Sequence, residues 1–305
     1  MTAAVRHVLC PVDFSDASRA ALRQAAAVAE YFGARLTILT VDDPLLAQVA
    51  AHADLALPDE TEQELRRFCA DVLTHPRAKI AGLTFTVVVG KPASEILREA
   101  DEGQVDLIVM SSQGRSGARK MFFGSTTERV LRETTVPVLV TPQMRVAIPR
   151  AGEQTPRLTR IVAPIDLSPA SAHQAQVAAR IAATLSVPLV LAHVLEPIFV
   201  PYNIRLAVSG VDTARREQAE ERMAAIASQL PADVKHETVI LVGDASEEIT
   251  KLTDARHASL IVMGLHSSGM LGPRMGSVTY RVLCLSHALV LALPPPDASG
   301  ESTHS

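Results

Sequence analysis

The octapeptide Val8-Leu9-Cys10-Pro11-Val12-Asp13-Phe14-Ser15 returns as Ile161-Val162-Ala163-Pro164-Ile165-Asp166-Leu167-Ser168, a shift of 153 residues from Asp13 to Asp166. The same shift carries Val89-Gly90 to Val242-Gly243, and Leu107-Ile108-Val109-Met110 to Leu260-Ile261-Val262-Met263. Gly124-Ser125 then matches Gly276-Ser277 at a shift of 152, so the second copy lacks one residue between Met263 and Gly276. A period this long is the length of an ordinary domain, not of a solenoid repeat. The 305 residues are therefore expected to fold as two copies of one domain, at 1–142 and 158–294. Residues 143–157, with Pro149, Gly152 and Pro156, read as a linker, and 295–305 as a flexible tail.

Each copy alternates short apolar runs with helical patterns, as parallel βαβ units do. In the first copy 5–12 reads as a buried strand, and Leu22, Ala25, Ala26, Ala29 and Phe32 recur at helical spacing over 16–32. Ser15 is placed to cap that helix and Gly33 to end it; Ser168 and Pro169 open its counterpart. Further strands are expected at 35–41, 83–89, 105–111 and 136–141, and helices at 60–74, 93–101 and 125–133. Residues 43–57 and 196–210 carry no clear period and predict a surface loop. Parallel strands joined by helices require right-handed crossovers and helices on both faces. The predicted fold class is α/β: two tandem doubly wound, open, parallel five-stranded sheets.

Composition removes several function classes. Hydrophobic residues make up 48%, which suits buried cores and argues against disorder. Aromatics are 3% with no Trp, the net charge is −4, and no run of five Lys or Arg occurs, so a nucleic-acid partner is not expected. No stretch approaches the roughly 18 apolar residues of a membrane span, and none resembles a signal peptide, so the expectation is a cytoplasmic protein without membrane insertion. Cys10, Cys69 and Cys284 share no CxxC spacing and read as reduced thiols. The ten histidines form no HxxxH or HExxH pair, and no catalytic or metal-ligating constellation is expected.

In open parallel sheets, ligands sit outside the carboxyl ends of strands where the connections diverge. Three segments of each copy fall there. Pro11-Val12-Asp13 places an acid after a buried strand, although Asp also commonly precedes helices. Val41 and Val194 end the second strand of each copy, where core packing alone is a sufficient reading. The third segment runs from Met110 to Ser125, after a strand and before a helix, with Gly114, Gly117 and Gly124 and the cations Arg115, Arg119 and Lys120. Glycines let backbone approach a ligand, and a helix N-terminus offers N–H groups to phosphate. Ser125-Thr126-Thr127-Glu128 also reads as a capping box, which is compatible with that use. The loop is neither a Walker A nor a GxGxxG motif.

Together the loop, the opening Pro-Val-Asp-Phe-Ser and the strand Asp106–Met110 resemble the universal stress protein family. Its ATP-binding members carry Gly-x2-Gly-x9-Gly-Ser/Thr in this loop. The first copy reads Ser111-x2-Gly114-x9-Gly124-Ser125, with Ser in the first Gly position. The second reads Gly264-x2-Ser267-x8-Gly276-Ser277, keeping the first Gly, losing the second and one residue short. The resemblance covers roughly 5–142 and 158–294 and implies the adenine nucleotide alpha hydrolase-like fold of that family. It also implies ATP, with Mg2+, bound with Asp13 near ribose, Val41 near adenine, and Pro11, Met110, Ser111, Gly114, Arg115, Gly124, Ser125 and Thr126 around them. The same roles fall on Asp166, Val194, Met263, Gly264, Gly276, Ser277 and Val278. Pairing through the last strand of each half, as an intramolecular pseudo-dimer or a homodimer, is implied as well.

Two readings follow. One is a nucleotide-responsive stress protein, non-catalytic or at most a slow ATPase, binding more tightly in the first copy, where three cations face one, Arg274, in the second. The other is an interaction module of the same family without nucleotide, which the serines at 111 and 267 favour.

Overall fold

A computed structural model describes residues 5–53, 56–73, 80–112, 124–142, 158–198, 210–265 and 275–295. The chain divides at Pro156/Arg157 into two compact units. In the first, β1 (His7–Pro11), α1 (Asp16–Phe32), β2 (Arg35–Asp42), α2 (Pro44–His52) and α3 (Leu57–Val72) lead to β3 (Gly82–Val89), α4 (Pro92–Glu102), β4 (Leu107–Ser111), α5 (Ser125–Glu133) and β5 (Val138–Thr141). The second runs β6 (Ile161–Pro164), α6 (Pro169–Leu185), β7 (Leu189–Leu195), α7 (Val211–Ala227), β8 (His236–Val242), α8 (Ala245–Ala255), β9 (Leu260–Gly264), α9 (Ser277–Leu285) and β10 (Leu289–Leu293).

The strand order is β3-β2-β1-β4-β5 in one unit and β8-β7-β6-β9-β10 in the other, with every pair parallel. This is the doubly wound five-stranded sheet that the alternating pattern predicts. Central strands are apolar throughout because helices cover both faces: Val8, Leu9 and Cys10 of β1 and Ile161, Val162 and Ala163 of β6 have no exposed surface. Ser15 caps α1 through its side chain, which accepts from Ser18 N, and Gly33 ends the helix at φ 63°, where a Cβ would be strained. The alanine face of α1 lets the helix lie close on the sheet, with Ala21, Leu22, Ala25, Ala26 and Ala29 fully buried. Burial also pushes the Cys69 thiol up to about 12 and the Cys10 thiol upward, so neither is a thiolate at neutral pH.

One expectation fails between 43 and 57. Residues 44–52 form α2 and Leu57 begins α3, in place of the expected surface loop; residues 54–55 lie outside the described ones. Asp43 accepts from Leu45 N at 2.7 Å and Pro44 pre-sets the first turn, so local capping starts the helix. Only Ala50 of α2 is buried, which is why no apolar period was legible. The matching segment 199–209 lies outside the described residues.

At the opposite end of β1, His7 ties three elements together. It is 5% exposed; its Nδ1 donates to Gly103 O at 2.8 Å, and Nε2 meets the Thr37 hydroxyl at 2.9 Å. Burial lowers the His7 pKa below 6.5 and Arg35 lowers it further, while the Gly103 carbonyl, Asp106 and Glu99 oppose. The folded state therefore prefers neutral imidazole, and the unfolded state binds more protons between that depressed value and about 6.5. Stability is expected to be complete above this window and to fall as pH drops through it. Urea midpoints at several pH values should show the loss, and His7→Gln should flatten it. A wild-type midpoint independent of pH from 7.5 to 5 would refute the assignment.

Candidate functional site

The register of β1 with β4 covers only Val8↔Leu107 and Leu9↔Ile108, and that of β6 with β9 only Ile161↔Leu260 and Val162↔Ile261. Past these pairs the strands part, at the place in each sheet where the order reverses. In such sheets that switch point, between the carboxyl ends, is the usual position of a ligand crevice.

Asp13 stands on its rim in a turn held by several contacts. Its Oδ1 accepts from Ser15 N at 3.2 Å and Ser15 Oγ at 2.6 Å, and Asp166 Oδ1 accepts from Ser168 N at 2.9 Å. The next residues, Phe14 and Leu167, have φ of 62° and 63°. A bulky side chain in the left-handed region costs about 1–3 kcal/mol unless its surroundings hold it. Phe14 is held edge-on against Phe68, centroids 5.5 Å apart, with the Arg19 guanidinium 4.5 Å over the Phe68 ring. In the second copy Arg222 donates to Leu167 O at 2.6 Å instead. Thr40 Oγ1 donates to Val12 O at 3.0 Å, and His193 Nδ1 donates to Ile165 O at 2.7 Å. Different side chains thus hold the same left-handed residue after the acid in both copies. This bond gives His193 a structural use.

The loop between strand and last helix is pinned at its base. Gly124 N donates to Ser112 O at 3.0 Å and Gly276 N to Leu265 O at 2.9 Å. Buried Thr127 donates to Ser111 O, and Thr279 to Gly264 O, each at 2.9 Å. The capping-box reading of 125–128 is corrected here: the N-cap of α5 is Gly124, at φ −62° and ψ 134°, without a side-chain cap, and Ser125 is the first helical residue. Glu128 pairs with Arg132 instead of reaching back. The first intrahelical bond is Glu128 N to Gly124 O. The amides of Ser125, Thr126 and Thr127 precede it and have no intrahelical acceptor, whereas that of Gly124 is already engaged. Ser277 and Val278 hold the matching places on α9. Gly114, Arg115, Arg119 and Lys120, like Ser267 and Arg274, lie outside the described residues.

Pro11, Asp13 and Ser111 are half-buried at the crevice, as are Val41 and Val194 at the ends of β2 and β7, and Gly264; Asp166 is exposed. Met110 and Met263 are 5% and 4% exposed, so their side chains belong to the core. Beside Val41 lies Asp42, which the sequence did not single out. Thr61 donates to its Oδ1 at 3.2 Å, while Oδ2 is buried without a hydrogen-bond partner among the described residues. Burial raises its pKa, with Glu64 adding and Thr61 opposing. The second copy has Leu195 there, so this buried acid is peculiar to the first.

A sequence model described as the universal stress protein family matches residues 4–142 and again 158–294. A universal stress protein of Mycolicibacterium smegmatis is 27% identical over 297 residues, covering 94% of this chain and 97% of the relative. The universal stress protein YxiE of Bacillus subtilis is 32% identical over 142 residues, 44% of this chain and 96% of the relative. A crystal structure of a universal stress protein from Archaeoglobus fulgidus superposes with a TM-score of 0.59 at 18% identity, covering 95% of this chain and 97% of that one. With two matches that together span most of its length, the chain belongs to the universal stress protein family as a tandem of two family domains.

Proposed function

We propose that the first domain binds ATP, with Mg2+, across the carboxyl ends of β1 and β4, and that the protein is a nucleotide-responsive stress factor and not a dedicated enzyme. The observation that carries this reading is the conjunction, on one crevice, of a fixed acid and three amides at a helix start that lack intrahelical acceptors. Asp13 is positioned to accept from ribose hydroxyls, and the amides of Ser125, Thr126 and Thr127 to donate to phosphate, where the helix dipole adds attraction. Pro11 and Val41 supply apolar surface for a base. Mg2+ would be held by phosphate oxygens and water, neutralising charge that the amides only partly offset. On this reading the protein hydrolyses ATP slowly if at all. Pairing of chains or halves through their last strands stays part of this reading.

The test is direct. Protein purified without added nucleotide, then denatured, should release adenine nucleotide detectable by mass spectrometry. Calorimetry with millimolar ATP–Mg2+ should give saturable heat on the stripped chain. Neither ligand nor heat would leave the interaction-module reading, which Ser111 in place of a motif glycine favours.

A further inference from the structure

The two crevices differ at one helix position. We infer that Gln174 closes the second domain to nucleotide from within, its carboxamide occupying the contacts a ligand would need; the inference rests on the nucleotide reading of the first domain. From α6 the side chain reaches into the gap where β6 and β9 part. Its Nε2 donates to Pro164 O at 2.7 Å and to Val262 O at 3.0 Å, and its Oε1 accepts from Gly264 N at 2.9 Å. The amide orientation follows from the partners, since carbonyls only accept and a backbone N–H only donates. Gln174 is 8% exposed. Both N–H donors are used, so the group is a satisfied bridge between strands that do not pair with each other there.

No glutamine stands at the equivalent position of the first domain. α1 and α6 bury the same positions at a constant offset of 153, Ser18 with Ser171, Ala25 with Ala178 and Ala29 with Ala182, which sets Ala21 opposite Gln174. A methyl group cannot reach Pro11 O, Val109 O or Ser111 N in the way Gln174 reaches their counterparts. A ligand entering the second crevice must break three hydrogen bonds and find room and partners for a buried carboxamide. Leaving such groups unpaired is the costly case. Gly264, the motif glycine that the second copy retains, thus has its amide committed to the protein's own side chain.

The experiment compares the full chain with its Gln174→Ala and Ala21→Gln variants, titrating ATP–Mg2+ by equilibrium dialysis after nucleotide is stripped. Wild type is expected to bind one nucleotide per chain and Gln174→Ala two, while Ala21→Gln should weaken the first site at least 10-fold. Two nucleotides on wild type, or still one on a folded Gln174→Ala chain, overturns the plug while sparing the nucleotide reading. No binding by any of the three overturns both. Should Gln174→Ala not fold, backbone amide exchange on wild type decides. ATP should slow exchange at Ser125–Thr127 and leave Gly264, already protected, and Ser277 unchanged. Altered exchange at Gly264 or Ser277 on adding ATP counts against the plug.

Discussion

Leu9→Ala is expected to destabilise the first domain by about 2–5 kcal/mol, the range for removing a buried leucine from a packed core. Leu9 has no exposed surface and sits mid-strand in β1, paired on one side with Thr37 of β2 and on the other with Ile108 of β4. The truncated side chain leaves a cavity that two strands and α1 cannot close without losing register. On an exposed helix the same change is nearly free: Leu45 on α2 is 71% exposed, and Leu45→Ala should shift stability by less than about 0.5 kcal/mol. Urea unfolding of the full chain reads both. Equal midpoints for the two variants would mean that β1 is not the core strand the sheet order makes it.

Thr127→Val is expected to act on stability and on ligand together. The hydroxyl of Thr127 donates to Ser111 O and fixes the first turn of α5 to the end of β4, and valine keeps the shape without the donor. The cost to stability is about 0.5–1.5 kcal/mol, the usual net worth of one intramolecular hydrogen bond. Because the amides of Ser125–Thr127 are the proposed phosphate donors, ATP affinity should fall at least 10-fold as well. Thr279→Val removes the equivalent bond to Gly264 O and should cost similar stability while leaving ATP affinity unchanged. Denaturant midpoints and calorimetry on the two variants separate the effects. Matching losses of affinity would defeat the asymmetry between domains.

The repeat and the parallel α/β architecture were legible in the chain because they follow from periodicity and from topology rules. Two copies of an apolar strand followed by Asp, and of an apolar strand followed by a glycine-bearing loop, place two carboxyl ends side by side in any doubly wound sheet. The caps at Ser15 and Ser168 were legible for the same reason, as each is a local hydrogen bond. Helix α2 was not, because an exposed helix with one buried residue carries no apolar period, and Asp43 alone is a weak start signal.

The site's finer design depended on contacts distant in sequence. Gln174 reads as one more polar residue in an alanine-rich helix, and its partners Val262 and Gly264 lie 88 and 90 residues away. Asp42 reads as a strand-end acid until Thr61 and the surrounding core make it a buried one. Local pattern reports which face of an element is apolar, but not which side chain from another element will meet it. Family and fold were written into the order of residues; that Gln174 bridges β6 and β9 emerged only when helix and strands were brought within hydrogen-bond distance.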